Sequence, residues 1–104
     1  MRISTDQQQR IAELCQRYHV ARLRLFGSAA TGHEGPDSDI DLLVEFADEA
    51  PSAFQVVDLR DELSAVFGGV PVDLAFAAVL RNPYRRRAIE PQLRAIYPPA
   101  VANG

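Results

Sequence analysis

A chain of 104 residues, 47% hydrophobic and 24% charged, fits one globular domain, too short for two and too apolar to be disordered. Its single cysteine, Cys15, excludes an internal disulfide and a cysteine zinc cluster; with no apolar run near the ~18 residues of a membrane span and no leader-like apolar core in MRISTDQQQR, a cytoplasmic location is expected. A formal charge of −3 excludes a protein whose main task is to coat nucleic acid, which needs a net basic footprint.

Ile11, Leu14, Cys15 and Tyr18 recur at three- and four-residue spacing and predict an amphipathic helix from Thr5 to about Tyr18, with Ser4, Thr5 or Asp6 capping its start. Val20 to Phe26 alternates as a strand does, with Val20, Arg22, Arg24 and Phe26 on one side and Ala21, Leu23 and Leu25 on the other. Gly27 to Ser38 holds three glycines and Pro36 and reads as a turn-rich loop with a helical turn after Ser28. Asp39 to Phe46 is a second strand. Pro51 and Ser52 open a second helix, whose apolar stripe runs out at Gly68 and Gly69. Val70 to Phe76 is a third strand, restricted to an edge or to its own first position by Pro71. A third helix is expected from Tyr84 to about Tyr97, kinked or divided at Pro91. The expected organisation is a single domain over 1–97 with a disordered tail at 98–104.

The chemistry concentrates in LFGSAATGHEGPDSDIDLLVEF, residues 25–46. Asp39 and Asp41 stand two apart in a strand, so their carboxylates leave one face while Ile40 and Leu42 leave the other. At about 5 Å and an effective dielectric of about 20, two such anions repel by roughly 3 kcal/mol. A cation between them removes that cost, and hard oxygen ligands of this kind suit Mg2+ or Mn2+ completed by water and substrate phosphate. Gly27 and Ser28 follow a strand and enter a loop, where backbone N–H groups and a hydroxyl can hold phosphate at close approach. Gly-Ser, ten residues, Asp, one residue, Asp is a spacing that ordinary composition produces in roughly one chain in a thousand of this length. A hydrolase pairing Ser28 with His19 or His33 lacks a nucleophile-elbow pattern.

This segment resembles the signature of the polymerase beta nucleotidyltransferase superfamily, and SDIDLLVEF looks like its minimal, stand-alone branch. The resemblance implies an α/β (α+β) minimal polymerase-beta-like fold, a small mixed sheet with helices packed on one side. It implies that Asp39 and Asp41 hold two divalent ions, that Gly27 and Ser28 hold the triphosphate, and that a third carboxylate comes from a later strand, where Asp73 in VPVDLAF is the matching position. Asp73 then accepts a proton from the attacking hydroxyl or helps place the metal beside it. Many members carry Arg soon after Gly-Ser, whereas this chain reads GSAATG, with Ala29 and Thr31 in those places. Arg22, Arg24 or an Arg of another chain are the candidates to compensate, and His33 and Glu34 are expected to face solvent.

Minimal members are often antitoxins matched with a HEPN-domain ribonuclease toxin, transferring AMP from ATP to a toxin tyrosine. The resemblance therefore implies a Mg2+-dependent protein adenylyltransferase with a HEPN toxin partner, ATP as substrate, and no direct contact with nucleic acid or membrane. Two alternatives stand beside it: an antitoxin with a degenerate site that neutralises by covering its partner, and transfer to a small molecule such as an aminoglycoside, which the small size disfavours. Charge is unevenly placed: residues 81–104 hold five Arg against Glu90 alone, either a solvated helix face or a contact surface.

Overall fold

Ser4 opens the first helix, α1 (Thr5–Arg17), through a capping box: its hydroxyl accepts from the Gln7 N–H at 3.1 Å, and its own N–H donates to Gln7 Oε1 at 2.9 Å. The computed structural model describes residues 2–32, 39–48 and 51–98. The helix buries Ile11, Leu14 and Cys15, and burial pushes the Cys15 thiol up to about 12, so it is an inert core group. Ser52 caps α3 (Ala53–Val66) in the same way with Gln55. That helix ends where Gly68 and Gly69 take positive φ, and the Gly69 N–H donates back to the Ser64 carbonyl at 2.8 Å.

Between and after these helices run four strands, β1 (Val20–Phe26), β2 (Ile40–Phe46), β3 (Val72–Phe76) and β4 (Arg94–Tyr97), in the sheet order β3-β2-β1-β4. β1 is antiparallel to both β2 and β4, while β2 and β3 are parallel, joined by the α3 crossover. Ile40, Leu42 and Val44 of β2 meet Leu23 and Leu25 of β1 and the apolar stripes of α1 and α3 in one core. The mixed sheet with α1 and α3 on one side is the expected fold class. Pro71 lies just before β3, which forms one edge.

Two expectations fail locally. Simple alternation puts Val20 with Arg22 and Arg24, but the β1–β2 register shifts between Val20 and Arg22, and this bulge turns Val20 into the core at 5% exposure. The third helix is also shorter than expected. α4 spans Pro83–Ile89, capped by the Asn82 side chain, and the chain then passes through a 3₁₀ turn, Glu90–Gln92, into β4. Pro91 has no N–H for a helical bond and its ring crowds the preceding turn. The open edge of β1 supplies a ladder for residues 94–97 instead, and Ile96 gains a fully buried place in the core. α4 itself buries none of its residues. Among the described residues no helix is long and apolar enough to cross a membrane.

Candidate active site

Asp41 projects from the sheet face opposite the core, because Ile40 and Leu42 on either side of it are core residues. Its cross-strand partners are Phe26 of β1 and Asp73 of β3. Paired residues of a ladder share a face, so Asp41 and Asp73 stand side by side, as alternation around Val72 and Leu74 predicts. Asp39, two residues before Asp41 and exposed, leads into the same face. The three expected carboxylates are thus brought to one end of the β2–β3 pair.

Asp41 is half buried, and its carboxyl pKa is raised, first by burial, then by the charges of Asp73 and of Asp39. Like charges face it, and among the described residues no neighbouring cation offsets them. Among the described residues no three His, Cys, Asp or Glu side chains converge into a ready-formed metal cage. A cation of the Mg2+ type does not require one: it binds through one or two carboxylates and fills its shell with water and phosphate oxygens. A half-buried carboxylate with two acidic neighbours fits that requirement.

Gly27 closes the other side of the site. Its φ is +74°, and a Cβ placed there would collide with Asp41 Oδ2. Glycine is needed here both for its backbone conformation and to admit the carboxylate. Its carbonyl accepts from the Ala30 and Thr31 N–H groups at 3.1 and 3.2 Å, which winds the single helical turn α2 (Ser28–Thr31). The Gly27 N–H, by contrast, donates to Gln92 Oε1 at 3.0 Å. Gln92 was not visible as a site residue in the sequence, since it comes from 65 positions away and carries no motif. The side chains of Ser28 and Ala29, and residues 33–38 with His33 and Glu34, lie outside the described residues.

Neither β1 candidate to replace the missing loop arginine is among the charges that act on the Asp41 carboxyl. Arg22 is held by Glu45 Oε2, at 2.7 Å from Nη2 and 2.8 Å from Nε. Arg24 has its Nε buried without a hydrogen-bond partner, and its pKa is lowered first by burial and then by Arg22, against the pull of Glu45 and Glu90. A cleft of about 500 Å3 lined by Arg17, Tyr18, His19, Asp48, Pro51 and Gln55 lies at the opposite end of β1, away from the aspartates. His19 sits there 3.8 Å from Asp48, with all of β1 between it and Ser28, so those two form no catalytic pair.

Comparison with known proteins meets this geometry at the family level: a model of the nucleotidyltransferase domain matches residues 8–96. The chain belongs to the nucleotidyltransferase domain family. A Methanocaldococcus jannaschii protein, provisionally named a protein adenylyltransferase, is 39% identical to this nucleotidyltransferase over 80 residues, 77% of this chain and 80% of its own. The protein adenylyltransferase MntA of Thermococcus cleftensis is 37% identical over 70 residues, 67% of this chain and 69% of its own. A solved structure described provisionally as a minimal nucleotidyltransferase superposes with a TM-score of 0.70 at 31% identity, covering 86% of this chain and 88% of that one. The fold is also shared, at a TM-score of 0.59 and 20% identity over 86% of this chain and 68% of that one, with a chain in the complex of tri-AMPylated Shewanella oneidensis HEPN toxin and MNT antitoxin.

Proposed function

We propose that this nucleotidyltransferase is a Mg2+-dependent protein adenylyltransferase of the antitoxin kind, moving AMP from ATP to a tyrosine hydroxyl of a HEPN ribonuclease partner. The observation that carries the reading is the pairing of Asp41 with Asp73 across a parallel ladder, Asp39 preceding it and Gly27 against the Asp41 carboxylate. The relatives named as protein adenylyltransferases and the HEPN–MNT complex of the same fold support the acceptor class and the partner.

Asp39, Asp41 and Asp73 would hold two divalent ions, Mg2+ or Mn2+, which when bound would neutralise charge at the α-phosphate and the pyrophosphate leaving group. The chain's own residues do the rest. Gly27 and Ser28 hold the triphosphate at the end of β1; with the Gly27 N–H engaged by Gln92, the backbone donors left at this turn are the Ser28 and Ala29 N–H groups, which by helix geometry have no partner within α2. Asp73, exposed at the mouth, takes the proton of the incoming hydroxyl. The hydroxyl oxygen bonds to the α-phosphorus, the bond to the bridging α–β oxygen breaks, and pyrophosphate leaves. AMP on a tyrosine beside an RNA site adds negative charge that repels RNA phosphate.

Ala29 and Thr31 in place of arginines favour a second reading, neutralisation by covering the toxin. Co-expression with the toxin separates the two. Asp39→Asn/Asp41→Asn should fail to rescue growth and leave the toxin without an added AMP mass; rescue by the double variant would sink the enzymatic reading.

A further inference from the structure

We propose that Gln92 is a positioning residue of the transfer site, a latch that fixes the Gly27 turn against Asp41. The inference rests on the enzymatic reading above for its catalytic consequence, and on backbone geometry for the latch itself. The β1–β4 ladder pairs Arg24 with Ala95 and Leu25 with Arg94. Carried two residues further, that antiparallel register places Gly27 opposite Gln92. The ladder stops short of this pair, because Glu90–Gln92 winds into a 3₁₀ turn and Leu93 donates its N–H back to Glu90 at 3.2 Å. The Gln92 side-chain carbonyl takes over where a backbone carbonyl would have served, accepting from the Gly27 N–H at 3.0 Å.

Gly27 is thereby tied from both sides, its carbonyl by α2 and its N–H by Gln92. That matters because the position has the least tolerance in the site: the Asp41 carboxylate lies where a Gly27 Cβ would be. A turn with one peptide face untethered lets the glycine and the carboxylate drift together. Partners that orient ligands without touching the reacting atoms typically contribute about 10–100-fold.

The test uses the full chain and three forms, wild type, Gln92→Ala and Gln92→Glu. Glutamate keeps the reach and the acceptor oxygen but brings a negative charge toward the triphosphate. The first readout is hydrogen exchange at the Gly27 amide without ATP or metal. Exchange should quicken about tenfold or more in Gln92→Ala and stay near wild type in Gln92→Glu. The second is the kinetics of AMP transfer. Gln92→Ala should lose about tenfold or more in kcat with the KM for ATP within about threefold, whereas Gln92→Glu should recover kcat and raise that KM. Unchanged Gly27 exchange in Gln92→Ala overturns the latch whatever the activity. Faster exchange with unaltered kcat, or a Gln92→Glu variant as poor in kcat as Gln92→Ala, overturns the positioning role. A wild-type chain that transfers nothing overturns the enzymatic reading, and the exchange measurement distinguishes that failure from a failure of the latch.

Discussion

Gly27→Ala and Gly68→Ala form a matched pair, because both glycines have φ of +74° while their surroundings differ. A Cβ at Gly68, just beyond α3, meets nothing within 4 Å, whereas one at Gly27 runs into the Asp41 carboxylate. Forcing an L-residue into this left-handed conformation costs about 1–2 kcal/mol. For a domain of this size that lowers Tm by roughly 4–8 °C per kcal/mol. Gly68→Ala should show that loss and nothing more, with AMP transfer measured well below its Tm matching wild type. Gly27→Ala should be at least as destabilised and also displace the carboxylate proposed to hold metal by about an ångström, a misplacement that costs about 100-fold in rate. The assay is thermal unfolding of both variants followed by initial transfer rates at 25 °C. A Gly27→Ala variant within about threefold of wild type in rate would refute the claim that the Asp41 carboxylate depends on the bare glycine.

Asp41→Asn tests the electrostatics: burial and the neighbouring aspartates raise the native pKa of Asp41 above its unfolded value, so the native state binds more protons and wild-type stability falls as pH rises through that window. In chelator, Asp41→Asn should therefore have the higher Tm at pH 7, with the gain vanishing below about pH 3.5, under the ordinary Asp pKa; a lower Tm at pH 7 would count against the repulsion. Added Mg2+ should raise the Tm of wild type but not of Asp39→Asn/Asp41→Asn, since only a ligand that prefers the native state stabilises it, and equal shifts would remove the aspartates from the metal site. Chelation should stop transfer, and excess Mg2+ or Mn2+ should restore it. Ser52→Ala removes the α3 capping box and should cost about 1 kcal/mol, read as a lower Tm with the transfer rate unchanged at temperatures where the variant is folded.

Local chemistry made much of this molecule legible in the sequence. The two capping serines, the glycine pair after α3 and the alternation of SDIDLLVEF each act over a few residues, and the elements they announce are present. The same alternation sets Asp73 on the face of Asp41, with which it pairs, and the family resemblance supplies the reason to look there for a third carboxylate. What the sequence concealed depends on tertiary pairing. Val20 turns inward through a bulge defined by its partner strand, and Arg94–Tyr97 becomes a strand because β1 has an open edge beside it, although Tyr84 to Tyr97 carries helical spacing. The Gln92–Gly27 bond lies beyond any local pattern for the same reason, since it exists only once β4 has docked.

Transfer of AMP by this chain is proposed to run through Asp39 and Asp41. Its most direct test is incubation of wild type and Asp39→Asn/Asp41→Asn with Mg2+ and α-labelled ATP in extract of the source cells containing the partner, followed by separation of the labelled proteins. A labelled band should appear with wild type alone, and its identity gives the acceptor. Labelling no different from that of the double variant would contradict it and favour neutralisation by binding.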